Sequence, residues 1–234
     1  CSSDLKELAD RLRANGFEIE GSKLSDRVLL VKGGALTEAN EYKKGLFSIQ
    51  SEESCAIADF ADAKSTELVI DLCAAPGGKA AAMAEQMLKP STSTEPLTET
   101  EPGKQPSTST EPLTKTEPGI ASGKVIALEL YEHRAALIEA TARRLGIENI
   151  EVRCQDAIEQ IDELVGKADL VLADVPCSGL GVIRRKPEMK YRDEFDFDEL
   201  VEIQKSILET GSSYLKPGGR DRKSTRLNSS HIQK

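Results

Sequence analysis

The 234 residues carry a formal net charge of −9 and 38% hydrophobic side chains, enough apolar surface for one large or two small cored domains. The acidic balance speaks against a nucleic-acid binder, which as a rule carries a basic excess. No apolar run is long enough to span a membrane and no signal-like leader opens the chain, so the expectation is a soluble, cytoplasmic protein.

The five cysteines (Cys1, Cys55, Cys73, Cys154, Cys177) are odd in number and scattered without CxxC or His-rich spacing. Reduced thiols and no metal follow from that pattern. The chain opens on Cys1 rather than Met, inside a helical pattern, which reads as a fragment at the N-terminus.

From Ser3 to about Ala14, Leu5, Leu8, Ala9 and Leu12 fall at helical spacing with Ser3 as N-cap, and Asn15-Gly16 stops the helix. Phe17, Ile19 and the run Val28–Val31 read as two strands around a polar turn. Residues 1–44 are thus expected to be the C-terminal part of a small α+β module. Gly45 to Ala61 begins as a turn and continues as a helix, with Ser51 as a loose start signal and Ala56, Ile57 and Phe60 at core spacing. Cys55 reads as a small buried hydrophobe.

Leu68-Val69-Ile70 is a short apolar strand ending in Asp71, and a Pro76-Gly77-Gly78 turn leads into an Ala-rich helix from about Lys79. A strand, a glycine turn and a helix start form a ligand cradle, because glycine admits close approach and the first helical N–H groups are unpaired. The helix runs into PSTSTEPLTETEPGKQ (Pro90–Gln105) and its near-copy PSTSTEPLTKTEPGIA (Pro106–Ala121). Pro, Ser, Thr and Glu at this density cannot bury enough surface to offset chain entropy, so 90–119 is expected to be a disordered insert. Its five Glu and two Lys add three negative charges to the chain.

Without the two copies, Glu129 falls roughly 20 residues after the glycines, where a dinucleotide fold places its ribose-binding acid. Val125–Leu128 is then a second strand, and a helix Glu132–Leu145 ends at Gly146. Ile150–Val152 is a third strand, a helix is expected over Ile158–Leu164, and Leu170–Ala173 is a fourth strand ending in Asp174-Val-Pro-Cys177. The alternation implies an α/β parallel sheet with helices on both faces. Asp71, Glu129, Asp156 and Asp174 stand at or just past strand ends and would line its ligand rim.

Val182–Arg192 (VIRRKPEMKYR) is the only basic concentration, and Arg184, Arg185, Lys186 and Lys190 read as a phosphate-facing patch beside the site. A final helix spans Phe195–Tyr214, and Leu215-Lys-Pro-Gly-Gly219 is expected to be a turn. Residues 220–234 are basic, polar and aperiodic where a fifth strand is due, and KSTRLNSSH resembles translated sequencing-adapter read-through. That tail is read as non-native and set aside from the fold.

Three ligand classes compete for the glycine turn. A phosphate loop needs GxxxxGK then Ser or Thr, and here Cys73 and Ala80 occupy the outer positions. A nicotinamide site needs GxGxxG, and only Gly77-Gly78 is present. S-adenosylmethionine fits best, since it carries no phosphate but offers ribose hydroxyls to Glu129 and an adenine amine to Asp156. The Cys73–Lys79 turn would then hold its methionine end. A thiol in the Asp174–Cys177 motif beside a methyl donor suits cytosine carbon 5, a poor nucleophile. Thiolate addition at carbon 6 makes carbon 5 enamine-like, able to attack the methyl sulfonium. A base then removes the hydrogen and the thiol departs. A carboxyl group at Asp174 supports that addition through ring nitrogen 3.

DLCAAPGGK (Asp71–Lys79), the acidic strand ends, DVPCSGLGVIRRKPE (Asp174–Glu188) and GLFSIQSEES together resemble the RsmB/Sun family of ribosomal RNA cytosine (carbon-5) methyltransferases, over about Leu5 to Gly219 apart from the insert. The resemblance implies a Rossmann-like class I S-adenosylmethionine-dependent methyltransferase sheet, incomplete here, in residues 45–219. It also implies S-adenosyl-L-methionine as cofactor, small-subunit 16S ribosomal RNA as partner, and a monomer. On the family pattern Cys73, Ala74, Ala75, Pro76, Gly77, Gly78, Lys79, Glu129, Asp156 and Asp174 bind the cofactor, with Glu129 standing where Asp is usual. Cys177 corresponds to the cysteine that releases the product. The family's nucleophile lies in a Thr-Cys motif on the strand after the Lys-Pro-Gly-Gly turn, and nothing in this chain matches it. The expectation is therefore a methyltransferase fragment that is inactive by itself. The alternatives are a non-catalytic S-adenosylmethionine- or RNA-binding module and, more distantly, a nicotinamide oxidoreductase.

Overall fold

The computed structural model describes residues 2–88, 123–175 and 197–224. Helix α1 (Ser2–Ala14) and a two-stranded antiparallel sheet of β1 (Glu18–Gly21) and β2 (Leu29–Lys32) form the N-terminal module. A short helix α2 (Asn40–Lys43) ends in paired reverse bonds, Gly45 N–H to Tyr42 O and Leu46 N–H to Glu41 O, and the chain then passes to α3 (Glu52–Ala61). Ser51 caps α3, its hydroxyl accepting from the Ser54 N–H.

The main sheet has five parallel strands in the order β5-β4-β3-β6-β7: β3 (Leu68–Asp71), β4 (Lys124–Glu129), β5 (Ile150–Cys154), β6 (Ala168–Asp174) and β7 (Leu215–Ser224). The central strands are apolar runs because both faces are covered, as parallel sheets require. Val69, Val125, Ala127, Leu170 and Leu172 pack on one face against α3, α4 (Gly78–Met87) and α5 (Glu132–Leu145). Ile70, Ile126, Leu128, Val171 and Ala173 pack on the other against α6 (Phe197–Tyr214), which buries Ile207 and Tyr214. Among the described residues no helix is long and apolar enough to cross a membrane.

The chain builds β4 and β5 on one side of β3, then crosses to place β6 and β7 on the other. That reversal opens a crevice at the carboxyl ends of β3 and β6, where side chains from both halves can meet a ligand. The expected doubly covered parallel sheet is therefore present, with its site end defined by the strand order.

Three local expectations are corrected. Phe60 is 71% exposed, under the guanidinium of Arg222 with 4.8 Å from Cζ to the ring centroid, while Ala58 and Ala61 face inward. The Ala-rich face of α4 (Ala80, Ala81, Ala84) lies in the same core cluster as those two alanines, so small residues serve this contact better than a ring. The helix expected over Ile158–Leu164 is a loop with only a 3-10 turn at Asp162–Leu164. Its backbone groups are taken by other partners: Asp156 Oδ1 accepts the Ile158 N–H and the Tyr214 hydroxyl accepts the Ile161 N–H.

The third correction is at the far edge. Leu215–Gly219 is the start of β7 with a register shift against β6, and residues 220–224 continue that strand opposite Leu170–Asp174. Backbone pairing does not need an apolar pattern, and Pro217 is tolerated at such an irregularity. Arg220 adds side-chain anchoring, with a two-pronged contact to Glu67 at 2.6 and 2.7 Å and a bond to Ala61 O at 3.1 Å. The 90–119 repeat, the segment from Pro176 to Asp196 and residues 225–234 lie outside the described residues.

Candidate active site

Three strand ends and one glycine turn assemble the site. The turn leaves β3 at Asp71, with Ala74 N–H bonded to Leu128 O and Gly77 N–H to Ala74 O, both close to 2.9 Å (2.9 and 2.8 Å). Gly77 has φ +100°, a backbone angle that L side chains rarely adopt, and a Cβ there would also press on Ile138, 3.1 Å from its Cα. α4 begins at Gly78, and its first N–H groups point into the turn by helix geometry.

Lys79, in the first turn of α4, reaches across the crevice to Asp174 at the end of β6, with Nζ 2.8 Å from Oδ2. Asp71 lies beneath this pair and is only 1% exposed, and among the described residues neither of its carboxylate oxygens has a hydrogen-bond partner. Burial pushes the Asp71 carboxyl up to about 7, opposed by the Lys79 charge and reinforced by repulsion from Asp174 and Glu129. Burial likewise pushes the Cys73 thiol up to about 12, reinforced by Asp71, Glu129 and Asp174 and opposed by Arg134. Cys73 thus forms a largely buried part of the turn's wall, with its thiol held in the neutral form.

Glu129 closes β4 and is 3% exposed. Its Oε1 accepts from the Tyr131 N–H at 3.2 Å and pairs with Arg134 at 3.1 Å, so that among the described residues Oε2 is left for a ligand. The same Arg134 donates to Ala75 O at 3.4 Å, so one guanidinium ties the acid of β4 to the glycine turn. Asp156 is half-buried past β5, with Oδ1 on the Ile158 N–H and, among the described residues, Oδ2 available.

The structure thus brings Cys73, Ala74, Ala75, Pro76, Gly77, Gly78, Lys79, Glu129, Asp156 and Asp174 to the carboxyl end of the sheet, as the strand ends required. Cys177 and the basic residues Arg184, Arg185, Lys186 and Lys190 lie outside the described residues. Two contributors were missed. Arg134 is a base in the first turn of the helix that follows Glu129, a spacing visible in the sequence. Gln50 packs on Gly78, where a Cβ would come within 2.9 Å of its Oε1, and nothing local in the sequence places it there. Among the described residues no cluster of His, Cys, Asp and Glu could hold a metal ion.

The family model described as 16S rRNA methyltransferase RsmB/F matches residues 113–225. The probable ribosomal RNA small subunit methyltransferase B of Bacillus subtilis (strain 168) is 35% identical over 219 residues, covering 93% of this chain and 42% of that protein. Two solved structures share the fold. The crystal structure of PH0851 superposes with TM-score 0.77 at 26% identity, covering 97% of this chain and 46% of the other. A methyltransferase homolog from Pyrococcus horikoshii gives TM-score 0.69 at 26% identity, covering 94% of this chain and 60% of the other. The chain spans less than half the length of the curated relative it matches. The Bacillus subtilis relative and the two solved structures each match more than nine-tenths of the chain, and the chain belongs to the RsmB/F family of methyltransferases.

Proposed function

We propose that the chain is the cofactor-binding part of an S-adenosylmethionine-dependent enzyme that methylates carbon 5 of a cytosine in small-subunit (16S) ribosomal RNA. The observation that carries the reading is a pair of acceptors on the rim: among the described residues Glu129 and Asp156 each have one oxygen engaged by the protein and one left, at the carboxyl ends of adjacent parallel strands. Carboxylates only accept, so this rim selects a ligand that offers donors, such as a ribose diol and an exocyclic amine. It disfavours a phosphate, which these two carboxylates would repel.

S-adenosylmethionine, when bound, supplies a methyl group on a cationic sulfonium. In this chain Glu129 would hold the ribose hydroxyls, Asp156 the adenine amine and the 73–79 turn the amino-acid end. Leu130, Tyr131 and Ile158 are exposed at the same rim and offer apolar surface for a flat base. Lys79 fixes the Asp174 carboxyl at the mouth of the crevice, where the target base would enter. Arg184, Arg185, Lys186 and Lys190 would meet RNA phosphates, and Cys177 would act in product release. The sequence holds no Thr-Cys pair, so this chain alone is proposed to bind the cofactor without completing transfer.

Calorimetric titration with S-adenosylhomocysteine tests the reading. The chain should bind it, Glu129→Ala should weaken binding about tenfold through loss of charge-assisted hydrogen bonds, and NAD should not compete. No binding of S-adenosylhomocysteine, or tighter binding of NAD, would overturn the proposal. Transfer of labelled methyl to 16S rRNA by this chain would overturn the claim that it is inactive alone.

A further inference from the structure

We infer that Tyr214 and Thr210, both on α6, are positioning residues that set the base selectivity of the ligand site by holding Asp156. The inference rests on the reading above in which Asp156 meets the adenine amine.

Asp156 stands on a loop with no regular structure of its own until residue 162. Such a loop would leave a carboxylate free to turn, yet this one is fastened from outside. Thr210 Oγ1 donates to Ile158 O at 2.8 Å. The Tyr214 hydroxyl accepts from the Ile161 N–H at 2.9 Å and donates to Glu159 O at 3.4 Å. Ile158 is therefore held at both ends, its carbonyl by Thr210 and its N–H by Asp156 Oδ1 at 3.0 Å. A second bond, Glu159 N–H to Asp156 O at 3.0 Å, ties the loop back to the backbone of the same aspartate.

The consequence is directional. With Oδ1 committed to a fixed amide, the plane of the Asp156 carboxylate is fixed and Oδ2 is the atom left to face a ligand. An ionised carboxylate accepts from a purine that carries an exocyclic amine and repels one that carries a carbonyl at that position. The discrimination survives only while the acceptor stays within hydrogen-bonding geometry, which is what the α6 anchors secure. Tyr214 itself is fully buried against the opposite side of the loop, in the cluster of Ile70, Leu72 and Val171, so it acts through the loop and not on the ligand.

The test compares S-adenosylhomocysteine with S-inosylhomocysteine, in which the amine is replaced by a carbonyl, using calorimetry on the full chain. Wild type should prefer the adenosyl compound by about tenfold, the scale of one hydrogen bond to a charged group. Thr210→Val and Tyr214→Phe should each reduce that preference at least threefold (about 0.65 kcal/mol by RT ln 3) by weakening the adenosyl compound alone, with the inosyl compound unchanged. Thr210 is only half-buried, so its variant keeps the question open to measurement if Tyr214→Phe fails to fold. A preference retained in both variants, or equal weakening of both ligands, overturns the positioning role. A wild type with no preference, matched by Asp156→Asn, overturns instead the placement of adenine at Asp156.

Discussion

Lys79 Nζ and Asp174 Oδ2 lie 2.8 Å apart across the point where the sheet reverses its strand order. The pair joins the first turn of α4 to the end of β6, and it sits over the buried Asp71. One cation therefore faces two carboxyl groups, only one of which it contacts. Lys79→Met should leave both acids without a counter-charge and cost roughly 2 kcal/mol at pH 8, less than a fully buried pair because this one is partly solvated. At pH 5.5 Asp71 is already protonated and the loss should be smaller. Thermal melts at the two pH values check this; equal losses would show that the two acids are not coupled through Lys79.

Asp71 gives a pH dependence of definite sign. Its folded-state carboxyl is raised to about 7 by burial, against an ordinary value of 3.8. The folded state thus holds a proton that the unfolded state has released, and stability falls as pH rises from about 4 to about 7, then levels off. Asp71→Asn removes that penalty. Its melting temperature should match wild type near pH 4, exceed it increasingly toward pH 7, and keep a constant lead above. A lead that stays flat from pH 4 to pH 8 would contradict an acid that is neutral in the folded chain.

Arg144 fastens the N-terminal module to the methyltransferase sheet. It donates to Tyr42 O and Phe47 O, both at 2.9 Å, and its Cζ lies 3.8 Å from the centroid of the Tyr42 ring. Gly45, at φ +75°, backs onto the Arg144 carbonyl so closely that a Cβ would overlap it. Arg144→Ala should cost about 2 kcal/mol by loss of two charged hydrogen bonds and a cation–π contact, read as a shift in urea midpoint. Gly45→Ala should cost more, since both the backbone angle and the contact forbid a side chain. Amide exchange over residues 40–50 should rise in Arg144→Ala while that of β3 and β4 does not; uniform acceleration would mean that the clamp is no separate unit.

How much of this was legible depends on whether the cause was local. β3, β4 and β6 lie inside the sheet and are covered on both faces, so they read directly as apolar runs, and their terminal acids marked the rim. The α5 boundaries, Glu132 and Leu145, were equally readable because Gly146 adopts the left-handed cap that ends the helix. The loop after Asp156 was misread as helix because its backbone partners, Thr210 and Tyr214, lie more than 50 residues away. Phe60 was misplaced because helical spacing cannot say which neighbour a helix meets, and α4 offers α3 an alanine face. β7 was missed because an outer strand is held by backbone bonds and by Arg220, not by an apolar pattern.

The two ends of the repeat region give the last prediction. Met87 closes α4, and its Cε lies 2.5 Å from where a Gly123 Cβ would stand, so the chain leaves and re-enters the fold at one place. Gly123 is anchored there by its N–H to Ser65 O at 2.8 Å, and Lys124 N–H bonds Glu67 O at 3.0 Å, just before β3 starts. This is the amino-terminal end of the sheet, while the ligand rim lies at the carboxyl end. Deleting residues 90–119 therefore removes no described contact and shortens a closed loop, which lowers its closure entropy by about 2 kcal/mol at most. The shortened chain should melt at the same temperature or a few degrees higher. It should also bind S-adenosylhomocysteine within about twofold of the parent, since no rim residue is touched. A melting temperature that falls by several degrees would mean that the repeat packs on the fold. Weaker binding at unchanged stability would mean that it reaches the rim from the opposite end of the sheet.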